Sequence, residues 1–221
     1  MVLTDIIPFV QAQIKLCPLP MVMLETRYAA KKFLDDTRAW NDVVSGTRLE
    51  SSRMRYPLES RPGTKVSNVY KVWIVERDSK GAEVSRKKLA CVIGDNVGAP
   101  EARVKYVSTN TLPAFWSYRN DQLEVWPVGE VDKDFAIEAE VCLSIDGKNP
   151  PLPDWLDEHD IAYGALSRLY AIAGQDWFNA DLANYYEDKF EKAIASKRIE
   201  RIHGGKPGSM TIMSPQFGGY F

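Results

Sequence analysis

The chain contains few of the residues on which most enzymes and metal sites depend. It has two histidines and three cysteines among 221 residues, and Cys17, Cys91 and Cys142 are too far apart to form a metal-ligand motif. We therefore expect free, buried thiols. The sequence also lacks the motifs of phosphate loops, dinucleotide-binding folds, zinc proteases and serine hydrolases. These absences predict a protein that is not an enzyme and that uses no cofactor and no metal.

Long apolar runs and a strong net charge are missing as well. No run approaches the roughly 18–20 apolar residues of a membrane helix, and Asp5 and Pro8 stand where a secretory signal would be apolar. The 28 basic and 30 acidic residues leave a net charge of −2, which gives no general attraction to nucleic acid. We expect a soluble protein that is made in a reducing compartment.

Both ends of the chain show the 3.6-residue period of helices. At the N-terminal end the pattern predicts a helix at residues 4–16 and, after a proline-containing break, a second at residues 21–41. At the C-terminal end it predicts helices at residues 156–173 and 180–202. Neither pair has enough apolar face to be stable alone, so we expect the four helices to pack as one bundle.

From about residue 48 to residue 145 the period changes to two, and β-branched and aromatic residues become frequent. Strands are predicted at residues 69–75, 82–84, 88–93, 103–107, 115–118, 122–126 and 135–145. Hairpin turns are predicted at residues 78–81 and 119–121. In the last strand, one face is apolar and the other carries Glu138 and Glu140, so we expect the second face to be wet or in contact with a partner.

Together these patterns predict an α+β fold. Its helical domain is a four-helix bundle built from both chain ends, residues 1–47 and 150–203. An antiparallel β domain, residues 48–149, is inserted between the two halves of the bundle. An extended C-terminal arm follows at residues 204–221.

The arm has an unusual composition for the end of a chain. Five glycines and two prolines exclude a helix, yet six large apolar side chains are present, and leaving them in water costs free energy. These are Met210, Ile212, Met213, Phe217, Tyr220 and Phe221. We expect them to dock on another subunit or protein. The alternative is an arm that folds back on its own surface or frays.

Two further clusters leave other functions open. Asp157, His159 and Asp160 form a loose group that would suit a metal site or a small hydrolase, although a solvated first helical turn explains the group better. The basic and aromatic residues at positions 48–61 would suit phosphate contacts. Two glutamates dilute that run, and a loop at a subunit interface fits it equally well.

Three segments in the helical ends resemble a known family. They are LETRYAAKKFLDDTRAW, which follows the first break, and the C-terminal pair LDEHDIAYGALSRLYAIAG and DWFNADLANYYEDKFEKAIASKR. The combination resembles the head-to-tail adaptor (connector) proteins of short-tailed bacteriophages, of the tail tubular protein A type. The resemblance covers roughly residues 1–45 and 150–205, and the β region shows no motif of the family.

The resemblance implies a structural virion protein that forms a ring, usually of twelve copies, below the portal. The helical domain would face the portal protein ring, the six apolar residues of the arm would dock on it, and the β domain would face a downstream tail or nozzle protein. DNA would pass through the lumen without sequence-specific binding, and no membrane would be involved. The protein would be made in the host cytoplasm and act in the neck or tail of the virion. The alternative is a tail-completion or tail-tube ring subunit.

Overall fold

Helices near both ends of the chain flank a long region of strands. The computed structural model describes residues 1–78, 80–92, 112–126, 134–147 and 150–202. The helices in this part are α1 (Ile7–Gln13), α2 (Leu19–Thr37), α3 (Glu158–Tyr170) and α4 (Ala180–Ile202). The strands are β1 (Asn41–Arg48), β2 (Arg55–Pro57), β3 (Thr64–Arg77), β4 (Glu83–Lys88), β5 (Ala90–Cys91), β6 (Phe115–Arg119), β7 (Gln122–Trp126) and β8 (Phe135–Ile145). None of the helices in these ranges is long and apolar enough to cross a membrane.

The strands form two four-stranded sheets. The first has the order β1-β8-β3-β4 and the second the order β2-β7-β6-β5. All pairs in the first sheet are antiparallel, but β5 runs parallel to β6, so the prediction of a purely antiparallel β region is wrong. The chain passes from β4 to β5 through the single residue Leu89, which is buried and donates its N–H to Val72 O. This short crossing leaves no room for a turn that would reverse the strand direction.

The predicted four-helix bundle is also wrong. The helices are too unequal for one, because α1 has seven residues whereas α4 has 23. Helix α2 packs against β8 as well as against α3 and α4. The buried side chains of the helices and of both sheets belong to one continuous cluster. The helices therefore cover a sheet and share its core instead of enclosing a core of their own.

Helix α2 ends at Thr37 rather than at residue 41. The next residue, Arg38, adopts a left-handed conformation with φ of 49° and donates its N–H to Leu34 O, which closes the helix. Arg198 Nε donates to Asp36 O at 2.7 Å, and Arg201 Nη1 donates to Arg38 O at 3.4 Å. These bonds supply partners for carbonyls that a helix end leaves unpaired, and they hold the last turns of α4 against the end of α2.

The two predicted hairpins within the described residues are confirmed. Strands β6 and β7 pair directly around Asn120 and Asp121, which both have positive φ angles, 50° and 59°, as a two-residue hairpin turn requires. Strands β3 and β4 are joined at Asp78, whose N–H donates to Ala82 O at 2.9 Å. The strand predicted at residues 103–107 lies outside the described residues.

The second face of β8, which was expected to be wet or in contact with a partner, is not wet. Every residue of this strand is buried except Glu140, which is half-buried. Strand β8 lies in the middle of its sheet between β1 and β3, and α2 packs against it. The carboxylate of Glu138 is covered by Arg77 and Arg86 from the neighbouring strands, so the face that alternation marks as polar is closed by ion pairs.

Candidate functional site

The strongest candidate for an interaction site is a group of exposed apolar side chains at the start of α2. They are Leu16, Leu19, Met23, Leu24 and Tyr28, which are between 39% and 71% exposed, and we call them the α2 apolar surface. Single exposed apolar residues are ordinary, but a group of large ones on one element is typical of a docking site.

The sequence of α2 explains why these residues remain outside. The inward side of the helix already supplies the core with Val22, Ala29 and Phe33, all essentially buried. Beyond Tyr28 the outward side becomes charged, and Lys31 forms an i,i+4 ion pair with Asp35. On this outward side, the exposed apolar residues Leu24 and Tyr28 therefore occupy only the first half of the helix.

A polar contact borders the α2 apolar surface toward α3. The guanidinium of Arg168 lies 5.2 Å from the centre of the Tyr28 ring, within the range of a cation–π interaction. Arg168 also forms an ion pair with Glu25, whose side chain is 13% exposed. These contacts hold the Tyr28 ring at the border of the surface, while its outer part remains accessible.

A second candidate feature is a row of aromatic rings that links α1, α3 and α4. The ring centres of neighbouring members are 4.8 to 6.5 Å apart, the spacing of interacting aromatic pairs. In order, the row contains Phe9, His159, Tyr163, Tyr186 and Tyr170. Burial is the main cause that raises the pKa values of the Tyr170 and Tyr186 phenols, so both hydroxyls stay neutral at physiological pH.

Lys189 covers part of this row. Its Nζ lies 4.9 Å from the centre of the Tyr163 ring and 4.6 Å from that of Tyr185. A hydrogen bond with Tyr185 is the main cause that raises the pKa of Lys189, so this amine stays charged. The row therefore joins three helices and carries a fixed positive charge on its outer side.

The residues proposed for a metal site or a hydrolase do not converge. Asp157 Oδ1 accepts the backbone N–H of His159 at 2.8 Å and caps α3, whereas the His159 ring lies in the aromatic row. Burial, and to a lesser extent the charge of Asp157, raises the pKa of Asp160. In the part of the chain that the structure describes, no group of three His, Cys, Asp or Glu side chains is placed to hold a metal ion.

Asp160 lines a cleft of about 260 Å³ between α3 and α4. Lys197 lies in the same cleft, with its Nζ 4.5 Å from the Trp155 ring centre and 2.7 Å from Glu200 Oε2. The chain itself thus supplies a cation for the acidic lining of this cleft. Sequence spacing did not predict the cleft, because its charged residues come from two different helices that meet only in the folded chain.

The arginines of residues 48–61 are engaged with carboxylates. The pairs are Arg48 with Asp134 at 3.2 Å, Arg53 with Glu50 at 2.8 Å, Arg55 with Glu124 at 2.9 Å and Arg61 with Asp42 at 2.7 Å. Each would have to leave its partner to contact a phosphate. The geometry therefore favours a structural role for this run over nucleic-acid binding.

The cysteines agree with the expectation of free thiols, but only in part with the expectation of burial. All three are free; Cys17 and Cys142 are buried, whereas Cys91 is exposed. Cys91 ends the two-residue strand β5 at the border of the second sheet, which explains its exposure. Burial is the main cause that raises the pKa of Cys17, so this thiol is not activated as a nucleophile.

The six predicted docking residues of the arm, Met210, Ile212, Met213, Phe217, Tyr220 and Phe221, lie outside the described residues. Helix α4 leads toward them, and its last turn exposes Ile199 and Ile202, 48% and 71% respectively.

Comparison with known proteins adds no relative: no family model matches the chain, and no curated protein matches it. The choice among functions therefore depends on the residues described above.

Proposed function

We propose that the protein is a structural virion component, a head-to-tail adaptor whose copies form a ring that joins the portal to the tail and surrounds the DNA conduit. The observation that carries this proposal is the α2 apolar surface, which is exposed in a single copy and bounded by charge along the helix. Such a surface is suited to a protein contact. The resemblance of the helical ends to phage adaptors supports the same assignment.

In the proposed ring of twelve copies, the helical part of each subunit faces the portal protein ring. The arm docks on the portal through Met210, Ile212, Met213, Phe217, Tyr220 and Phe221, and the β region contacts the downstream tail or nozzle protein. DNA passes through the lumen without sequence-specific binding. The net charge of −2 and the ion-paired arginines of residues 48–61 support that last role, because a conduit must not hold the DNA it transmits.

The second candidate is a tail-completion or tail-tube ring subunit. The specific observation in its favour is that β1 and β2 are edge strands of the two sheets within the described residues. Open sheet edges are suited to assembly through the β region. In that case the arm would be dispensable. Both candidates place the mature protein in the neck or tail of a virion and its synthesis in the host cytoplasm.

The experiment that tests the adaptor role is co-sedimentation with the cognate portal ring. Four proteins are compared: the full chain, a chain truncated after Lys206, and the full-length variants Leu24→Glu and Val84→Glu. Leu24 lies in the α2 apolar surface, whereas Val84 is 61% exposed on β4 and serves as the matched control.

The adaptor proposal expects the full chain and Val84→Glu to bind. It expects the truncated chain to lose binding and Leu24→Glu to bind more weakly. If the truncated chain binds as strongly as the full chain, the helical part and not the arm makes the contact with the portal. Failure of the full chain to bind would refute the adaptor role and favour the tail-tube candidate.

A further inference from the structure

The α2 apolar surface is bordered by positive charge. Residues 6–24 contain a single charged residue, Lys15, and Arg27 follows in the next turn of α2. Neither of these side chains forms an ion pair within the part of the chain that the structure describes. The nearest carboxylate in sequence, Glu25, is already paired with Arg168. Two cations that lack a carboxylate partner among the described residues therefore border the apolar side chains.

The start of α4 presents a second exposed surface, of opposite charge. Two aromatic side chains there, Phe178 and Tyr185, are 48% and 51% exposed. Two carboxylates, Asp176 and Asp181, are exposed beside them, and we call these four residues the α4 acidic surface. Residues 169–188 contain four acidic residues and no lysine or arginine. Neither carboxylate of the surface forms an ion pair among the described residues, so both can pair with cations of another molecule.

The two surfaces lie on different sides of the helices. Helix α4 meets α2 through Glu191, whose carboxylate lies 2.6 Å from Lys32 Nζ. An α-helix turns by about 100° per residue, so Tyr185, six residues before Glu191, lies roughly 120° around α4 from that contact. By the same rotation Arg27, five residues before Lys32, lies roughly 140° around α2 from it. Each surface therefore faces away from the other helix, and the two surfaces cannot meet within one folded subunit.

Lys189 does not compensate the charge of the α4 acidic surface. Its Nζ lies 4.9 Å from the centre of the Tyr163 ring and 4.6 Å from that of Tyr185. Asp181 is eight residues earlier in α4, which is about 12 Å along the helix axis at 1.5 Å per residue. That distance exceeds the Debye length of about 8 Å at physiological salt, so the two charges are largely screened from each other. Asp181 therefore remains available to a cation of another molecule.

We propose that the α2 apolar surface of one copy of this chain docks on the α4 acidic surface of the next copy. The two cations of the first copy face the two carboxylates of the second, and the apolar and aromatic side chains pack between them. Because the two surfaces differ, the contact is head-to-tail, and such contacts form a ring when the rotation between copies closes. This contact would join neighbours in the proposed ring and therefore rests on the proposed function.

A symmetric contact between two identical surfaces is less suited to these charges. Two α2 apolar surfaces placed face to face would bring Arg27 of both copies into the same interface. Two α4 acidic surfaces would do the same with Asp181. Like charges that meet at an interface oppose binding, whereas opposite charges select the partner and fix the register. Of the three pairings, only the mixed one joins opposite charges.

Exchange of two charges tests the pairing. Sedimentation velocity at low salt and without the portal compares the unchanged chain with Arg27→Glu, with Asp181→Lys and with a chain that carries both substitutions. Lys87→Glu on the exposed strand β4 is the matched control for a reversed charge. We expect each single reversal in the surfaces to weaken self-association at least about tenfold, because an attraction becomes a repulsion. The double variant should return to within about threefold of the unchanged chain, because each contact again joins opposite charges.

A mixture of two defective chains tests the head-to-tail geometry. Leu24→Glu alters the α2 apolar surface and Tyr185→Lys alters the α4 acidic surface, but each variant keeps the other surface intact. Both side chains are exposed, 46% and 51%, so both variants should fold, which urea unfolding checks. We expect neither variant to associate alone. An equal mixture should form dimers with one copy of each variant and nothing larger, because a single intact pair of surfaces remains.

Several results would overturn the head-to-tail contact. They are a double variant that associates no better than the single variants, a mixture that forms no dimers, and an unchanged chain that stays monomeric at about millimolar concentration. Association of Tyr185→Lys alone as strong as that of the unchanged chain would identify a symmetric contact through α2 instead. Because the portal is absent from these measurements, the contact between copies and the binding of the full chain to the portal can fail independently of each other.

Discussion

Arg77 and Glu138 form an ion pair across β3 and β8, with 2.7 Å between Arg77 Nη2 and Glu138 Oε1. The second carboxylate oxygen of Glu138 lies 2.8 Å from Nη2 of Arg86 on β4. The Glu138 side chain is only 7% exposed. One carboxylate therefore links three adjacent strands, from a position that alternation alone would place in water.

Glu138→Gln should lower the free energy of unfolding by about 1–3 kcal/mol, because it removes the carboxylate charge between two arginines and replaces one buried acceptor with an NH2 donor. Urea denaturation measures the change. Glu140→Gln is the matched control on the same strand, since among the described residues Glu140 forms its ion pair with Lys71, whose side chain is 45% exposed. Its effect should stay below about 1 kcal/mol. Equal effects of the two substitutions would show that the link between the three strands does not contribute to the free energy of unfolding.

Gly164 marks the closest approach of α3 to α4. A β-carbon at this position would lie 2.6 to 2.8 Å from three ring carbons of Phe190. Phe190 is 1% exposed, and its ring centre is 6.1 Å from that of Phe33, so the ring has little room to move. Gly164→Ala should destabilise the protein by about 1–3 kcal/mol, although alanine is the better helix former.

A double-mutant cycle separates crowding from other effects of this substitution. Phe190→Leu removes the ring that the new methyl group would meet, so Gly164→Ala should cost less in that background. Thermal or urea unfolding of the four proteins provides the cycle. If Gly164→Ala costs the same with Phe190 and with leucine, the close packing of the two helices is not the cause.

Deprotonation of Tyr118 should lower the free energy of unfolding at alkaline pH. Burial, followed by the charge of Asp121, raises the pKa of Tyr118 from 10.0 to about 12. The folded state holds the phenolic proton more tightly than the unfolded chain, so this contribution is complete below about pH 10 and is lost as the pH rises toward 12. Tyr118→Phe has no such proton and should lose less stability over this interval.

Urea midpoints measured from about pH 9 to about pH 12 test this expectation. Below pH 10 the Tyr118→Phe variant should be less stable by about 1 kcal/mol, because the hydroxyl donates to Val66 O at 3.3 Å. The curves of stability against pH for the unchanged protein and for Tyr118→Phe should then approach each other as the pH rises. Parallel curves would mean that Tyr118 does not titrate differently in the folded and unfolded states.

Sequence periodicity located the helices but not what they pack against. Helix α4 has the predicted bounds, Ala180–Ile202, because Asn179 Oδ1 accepts the Leu182 N–H at its start and two glycines follow its end in the sequence. Strand β1 was missed because polar residues and a glycine interrupt its apolar residues, and it forms only through pairing with β8. The buried second face of β8 depends on Arg77 and Arg86, which are more than 50 residues away in the chain. Long-range pairs of this kind leave no local pattern.

The candidate site was only partly predictable for the same reason. Periodicity places Met23 and Leu24 on apolar stripes of a helix, but it does not say which stripe meets the core. The structure buries the side that includes Val22 and Phe33 and leaves Met23 and Leu24 exposed. Conversely, Asp157 and His159 are neighbours in sequence but have separate roles, because the first caps a helix and the second joins an aromatic row.

The α2 apolar surface should contribute to assembly and not to folding. Leu24 is 46% exposed, so Leu24→Ser should change the free energy of unfolding by no more than about 0.5 kcal/mol. Leu34 lies on the same helix with no exposed surface, and Leu34→Ser should cost at least about 2–5 kcal/mol. Sedimentation velocity of the folded Leu24→Ser variant should show self-association at least about tenfold weaker than that of the unchanged chain, because a central apolar contact would be lost. If Leu24→Ser folds normally and associates as strongly as the unchanged chain, the surface is not a contact between subunits, and only binding to the portal would remain to explain its exposure.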